Sequence, residues 1–173
     1  MAKLSDFITA MATLKANFKT KFTEKGIDVT STPFTDYYTK IDEVGGNKLF
    51  PTSTGWTFSK SGTATGSISD DKIYLNNPWD NTASTAYAKK TIDVTNVDVI
   101  MAKYTATRSN ENYNNGTIKL SAGGKTGPVG NSTGNVIFLD VSSLTGSVEL
   151  TITAYSDGIA TSYEWDVTFV KAY

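Results

Sequence analysis

The 173-residue sequence predicts a mainly β fold, an antiparallel β-sandwich of jelly-roll type, preceded by a small N-terminal helical hairpin. Three observations lead there. Up to Val44, apolar residues recur every three or four positions, the period of a helix face; from Asn47 onward they recur every second position, the period of a half-buried strand. Gly45-Gly46 stands at the change. Turn-forming pairs then divide the remainder into short stretches, with no helical pattern between them to suggest a parallel α/β sheet.

In the first part, Leu4, Phe7, Ile8, Met11, Leu14, Phe18 and Phe22 fall on one helix face, with Ser5 as N-cap and Gly26 as the stop. Such a helix is about 30 Å long. A second helix starts at Thr32-Pro33, where proline suits the first helical position because it has no N–H to leave unbonded. It continues through Phe34, Tyr37, Tyr38, Ile41 and Val44. A hairpin this short buries its own apolar stripe poorly. Residues 1–46 therefore read as an attachment or oligomerisation module, and Phe7, Met11, Leu14, Phe18, Phe22, Tyr37 and Ile41 as its assembly contact.

In the second part, residues 47–173, the clearest strands are Val148–Tyr155 and Tyr163–Phe169, which alternate apolar and polar residues. Weaker strands are expected at Trp56–Phe58, Lys72–Leu75, Tyr87–Val94, Val97–Thr107, Thr117–Ser121 and Val136–Val141. Turns are expected at Ser61-Gly62, Asp70-Asp71, Asn115-Gly116, Gly123-Gly124, Thr145-Gly146 and Asp157-Gly158. Eight or nine short strands separated in this way indicate a sandwich.

Composition narrows the function. Hydrophobic residues make up 39% of the chain and charged residues 19%, enough apolar content for a core. The net charge is −1 and Arg108 is the sole arginine, so no basic face for nucleic acid is expected. No apolar run approaches the roughly 20 residues of a membrane span, and the first residues do not read as a signal peptide. With no histidine and no cysteine, the common nucleophilic triads and zinc ligand sets cannot be built. The expectation is a protein without catalytic residues, metal or cofactor.

The remaining chemical motifs are weak. Gly124-Lys125-Thr126 imitates the end of a phosphate loop, but Lys119 stands where that motif needs glycine. Glu164 and Asp166 share a strand face, as a glycosidase pair could, yet the alternation places that face in solvent. Asp70, Asp71 and Asp80 lack calcium-loop spacing. Two loops are more informative: Asn76-Asn77-Pro78-Trp79-Asp80-Asn81, and Ser109 to Asn115 around Tyr113. Each sets an aromatic ring among amides and an acid. Sugar C–H faces stack on aromatic rings while amides and acids bond hydroxyls. Asn76, Trp79, Asp80, Arg108 and Tyr113 are accordingly the candidate glycan contacts. The bland alternatives are that Trp79 plugs the end of the sandwich and that Tyr113 decorates a hairpin loop.

The segment Leu14–Val44, with Lys25-Gly26-Ile27, Thr30 to Thr32 and Lys40-Ile41-Asp42-Glu43-Val44, resembles the N-terminal helical modules of structural proteins from tailed bacteriophages. Val136 to Gly146 is similar to a strand and turn of jelly-roll modules in phage fibres, baseplates and carbohydrate-binding modules. The resemblance implies a virion component made in the host cytoplasm: an accessory fibre, decoration or tail/baseplate protein. Its partners would be other virion proteins and further copies of itself, with its sandwich facing outward and, in the alternative, recognising cell-surface glycans.

Overall fold

The computed structural model describes residues 47–50 and 52–173, together with positions 16, 19, 20, 23, 29–31 and 33. The chain divides into two compact units, Met1–Gly46 and Asn47–Tyr173. In the first, Ala16, Lys19, Thr20 and Thr23 have helical backbone, and Thr23 Oγ1 donates to Lys19 O one turn back at 3.0 Å. The two expected helices as wholes, and the assembly residues Phe7, Met11, Leu14, Phe18, Phe22, Tyr37 and Ile41, lie outside the described residues.

The second unit is a sandwich of two antiparallel sheets. Twelve strands are described: β1 (Asn47–Phe50), β2 (Trp56–Ser61), β3 (Thr65–Ile68), β4 (Ile73–Asn77), β5 (Ser84–Asp93), β6 (Val99–Arg108), β7 (Thr117–Ala122), β8 (Lys125–Thr126), β9 (Gly130–Asn131), β10 (Val136–Asp140), β11 (Ser147–Ser156) and β12 (Tyr163–Ala172). One sheet runs β10-β6-β12-β4-β3, with β1 on the far half of β12; the other runs β2-β5-β11-β7-β8, with β9 also on β7.

The alternation read from the sequence is the burial pattern of the strands. In β11, Leu150, Ile152 and Ala154 are fully buried while Thr151 and Thr153 stay partly open. The inner faces are complementary in size. The first sheet contributes Tyr104, Tyr163, Trp165, Ile73 and Leu75; the second contributes Ala86, Ala88, Ala122 and Ala154 beside Leu120, Leu150 and Ile152. Small residues on one layer leave room for large rings on the other, which is how a close-packed interior is filled. Trp165 is the centre of that ring cluster: Tyr163 stacks on it at 5.6 Å and 16°, and Tyr104 tilts against it at 5.8 Å.

Two sequence expectations change. Phe169 was expected to continue the inward row of Tyr163, Trp165 and Val167. A register shift between Val167 and Phe169 inserts one residue and reverses the alternation. Phe169 consequently lies partly exposed opposite Lys103, whose Nζ is 5.3 Å from its ring, and Val170 turns inward. Asn115-Gly116 was expected to close a hairpin; instead the β6–β7 loop crosses from one sheet to the other. By contrast Gly123-Gly124 does close a two-residue hairpin, with φ of 54° and 81°, the type I′ geometry that matches strand twist.

β1 was not expected from sequence. It is fixed by specific contacts: Trp56 Nε1 donates to Leu49 O at 3.0 Å, and Lys90 Nζ donates to Leu49 O and Thr54 O while lying 5.8 Å from the Trp56 ring. β1 pairs Asn47 with Ala172, so it adjoins the end of β12 opposite to Tyr163.

Exposed aspartates organise several turns. The hydroxyl of Ser53, and then its amide, holds the Asp70 carboxyl below its ordinary value of 3.8. Thr95 does the same for Asp93 and Ser142 for Asp140, hydroxyl first in each case, and the Ser69 hydroxyl lowers Asp71. A carboxyl whose folded value is depressed contributes stability above its unfolded value and loses it as pH falls through the folded one. Thermal unfolding followed by circular dichroism should therefore show a midpoint that is flat above about pH 5 and declines below about pH 4. A midpoint that rises on acidification would contradict these assignments.

Candidate functional site

Three connections meet at one end of the sandwich: the β4–β5 loop (78–83), the β6–β7 loop (109–116) and the β11–β12 loop (157–162). At the foot of the first, Asn77 and Ser84 are buried. Asn77 Nδ2 points at Ser84 O (3.0 Å), Ser84 Oγ (3.2 Å) and Ala154 O (3.4 Å), tying β4 of one sheet to β5 and β11 of the other. Within the loop, Asp80 Oδ1 accepts from Thr82 N at 3.0 Å, the side-chain turn that aspartate favours.

The β11–β12 loop is wedged between the other two. Asn81 N donates to Gly158 O at 3.0 Å. Gly158 has a φ of +74°, and a Cβ there would come within 2.2 Å of Thr82 O, so glycine is required on both counts. On its other side, Asn115 Nδ2 donates to Asp157 Oδ1 at 2.5 Å, Asn110 N donates to Thr161 Oγ1 at 3.0 Å, and Ser109 N donates to Ser162 O at 3.2 Å.

The β6–β7 loop is also held from below. The Tyr163 hydroxyl accepts from Asn115 N at 2.8 Å and has two acceptors for its proton, Asn115 Oδ1 at 2.8 Å and Tyr113 O at 3.1 Å. Gly116 is packed so closely on the Tyr163 ring that a Cβ would lie 2.5 Å from it. Arg108 braces the same loop, donating to Tyr113 O and Ser132 Oγ at 3.2 Å each, and Ser132 Oγ donates to Asn114 Oδ1 at 2.7 Å. Below them, Tyr104 donates to Asn131 O at 2.7 Å, and burial pushes its hydroxyl above the ordinary value of 10.0.

With their backbones bonded to one another, the loops turn apolar side chains outward. Trp79 is 60% exposed, Ile159 54% and Tyr113 44%. Trp79 therefore does not plug the sandwich, and Tyr113 stands on a connection between sheets and not on a hairpin. Of the six large apolar residues exposed among the described residues, these three share one end, and a fourth, Tyr155, lies two residues before Asp157. The same loops carry Asp80, Asn81, Asn110, Glu111, Asn112 and Asn114, so the exposed rings share this end with amides and carboxylates.

The structure thus places Trp79, Asp80 and Tyr113 in one loop cluster, with the two other candidates set as follows. Arg108 engages the loop that carries Tyr113. Asn76 sits on the outer face of β4, opposite Glu164, and donates to Thr65 Oγ1 at 3.2 Å. Ile159 escaped the sequence reading, as did the whole β11–β12 loop as a functional element; its Asp-Gly pair signals only a turn.

Other motifs lie elsewhere. Asp71 precedes β4 and Asp80 follows it, which puts them at opposite ends of that strand. Among the described residues no group of three or more acidic side chains is arranged to hold a metal. Glu164 is exposed on the outer sheet face, and Asp166 is paired with Lys72 at 3.1 Å. Gly124-Lys125-Thr126 belongs to the β7–β8 hairpin. It borders an open groove of about 620 Å³ together with Ser121, Ser147 and Glu149, at the end of β7 away from the three loops.

No protein-family model and no curated protein matches the sequence. Among solved structures, the chain is similar to the carbohydrate-binding module TmCBM61 in complex with beta-1,4-galactotriose, at 8% identity and a TM-score of 0.40, covering 70% of this chain and 89% of that one. It is also similar to TmCBM27, a carbohydrate-binding module with specific mannan recognition, at 12% identity and a TM-score of 0.45, covering 72% and 95%.

Tyr163→Phe keeps the stacked ring and removes the hydroxyl that serves the β6–β7 loop. It should lower stability by about 1–3 kcal/mol, since Asn115 N loses its acceptor, and should speed amide hydrogen exchange at residues 113–115. Gly158→Ala should be the more damaging change. Equal exchange in wild type and Tyr163→Phe would show that the hydroxyl does not hold the loop.

Proposed function

We propose that the sandwich is a non-catalytic carbohydrate-binding module whose site is the three-loop end, with Trp79 and Tyr113 as stacking platforms. The observation that carries this reading is the gathering of Trp79, Tyr113 and Ile159 on loops whose backbones are bonded to each other. An exposed apolar side chain is ordinary alone and informative in a cluster. Loops already tied to one another lose little backbone entropy when a ligand stacks on the rings they carry. The amides and acids around them are groups that bond sugar hydroxyls, Asp80 among them. A binding role, not a hydrolytic one, suits a carboxylate pair in which Glu164 lies exposed on the outer sheet face and Asp166 is paired with Lys72 at 3.1 Å.

On a glycan array, the full-length protein should retain a defined set of neutral glycans. Trp79→Ala and Tyr113→Ala should each weaken that binding by about tenfold or more, the effect typical of an anchor residue, with melting points near wild type. No released reducing sugar is expected on prolonged incubation. An array with no binding at all would remove this reading.

A second reading concerns Met1–Gly46. We take it as the part that attaches the sandwich to a larger assembly, as in an accessory protein of a tailed-phage virion, through Phe7, Met11, Leu14, Phe18, Phe22, Tyr37 and Ile41. The division of the chain at Gly46 into two compact units favours it. By light scattering, the full chain should form an oligomer or bind a virion protein, and a 46–173 variant should be monomeric. A full chain that stays monomeric and finds no virion partner would leave the attachment role unsupported.

A further inference from the structure

The outer face of the second sheet adjoins the three-loop end and carries two more exposed or partly exposed rings. Strand register puts Ser61, Thr85, Tyr155, Thr117 and Asn131 in one row across β2, β5, β11, β7 and β9, next to the three-loop end. The next row down the same face is Ser59, Tyr87, Thr153 and Lys119. Tyr155 and Tyr87 are thus diagonal neighbours on adjacent strands, a spacing of about 7–8 Å. Tyr155 is 39% exposed and Tyr87 is partly exposed. Neither hydroxyl makes a hydrogen bond among the described residues. Threonine, serine and lysine share the rows of both rings, and Glu149, the carboxylate further down β11 on this face, is paired with Lys89 at 2.9 Å.

We propose that Tyr155 and Tyr87 are additional sugar subsites, which extend the loop site into a track for a polymeric glycan. The inference rests on the carbohydrate reading of the loop end and deepens it by naming the ligand class: an internal stretch of an extended polysaccharide, not a lone terminal sugar. Two features select this occupant. The track is continuous with the loop site, because Tyr155 is two residues from Asp157 along β11 and its loop. Among the described residues its chemistry is rings spaced along a strip of hydroxyls with one ammonium group outside any ion pair, Lys119, while the adjoining acid, Asp157, is hydrogen-bonded to Asn115 Nδ2. That pattern suits a repeating polyhydroxylated chain better than a peptide, which would need an apolar groove or an open sheet edge.

The test is calorimetric titration of the full-length protein with size-graded fragments of mannan, galactan, xylan and glucan, from disaccharide to hexasaccharide. For the series that binds, wild-type affinity should rise with chain length. Tyr155→Ser and Tyr87→Ser should each weaken hexasaccharide binding roughly three- to tenfold, the range expected for removal of one aromatic contact. Both should leave disaccharide binding within about twofold, a ratio that a global folding defect would not produce. Lys125→Ala, at the other end of β7, should bind as wild type. If affinity is independent of length, or both serine variants bind the hexasaccharide as wild type, the track is wrong while the loop site stands. If no fragment binds and Trp79→Ala changes nothing, the carbohydrate reading itself fails.

Discussion

Tyr163 joins the core of this molecule to its surface. Its ring is fully buried and stacked on Trp165; its hydroxyl, at the outer end of the same side chain, holds the backbone of the loop that carries Tyr113. A buried phenol must find hydrogen-bond partners, and here those partners are loop atoms. The ring stack therefore sets the height and direction of the β6–β7 loop. Through Asn115 and Asp157 the same constraint passes to the β11–β12 loop, and through Gly158 to the loop that carries Trp79. Exposed rings on connections otherwise free to move are in this way referred back to the packed interior.

How much of this could be read beforehand depended on whether the signal was local. The alternation of β11 is local, and its reading as Val148–Tyr155 lies within the observed Ser147–Ser156. The choice between strand and helix, and the antiparallel sandwich, followed from the same periodicity. Short strands were missed because they have too few residues to show a period: β8 and β9 have two residues each. β1 is held by Trp56 and Lys90, residues that no pattern within Asn47–Phe50 announces. The bulge in β12 inverted Phe169 for a similar reason, since one inserted residue is set by pairing with β6 and not by composition.

The site divides along the same line. Trp79, Asp80 and Tyr113 were conspicuous because an aromatic ring among amides is visible in a few consecutive letters. Their association was not, because Gly158 and Asp157 mediate it from more than forty residues further along the chain. Arg108 and Asn76 were selected by residue type. In the structure Nη1 of Arg108 donates to Tyr113 O and Ser132 Oγ, and Asn76 lies on a sheet face beside Thr65. Ile159 carries no chemical signature in sequence; only its exposure on a loop bonded to those of Trp79 and Tyr113 marks it.

The course of β12 has a practical corollary. Its ten residues start at Tyr163, under the loops, and end at Ala172, paired with Asn47. At the usual strand rise that is about 30 Å. A fluorophore, bead or sensor chip coupled at Tyr173 would sit at the far pole of the sandwich and leave Trp79, Tyr113 and Ile159 facing the bulk solution. Random coupling through lysine would give no such orientation, because Lys89 and Lys119 lie on the flank beside Tyr87.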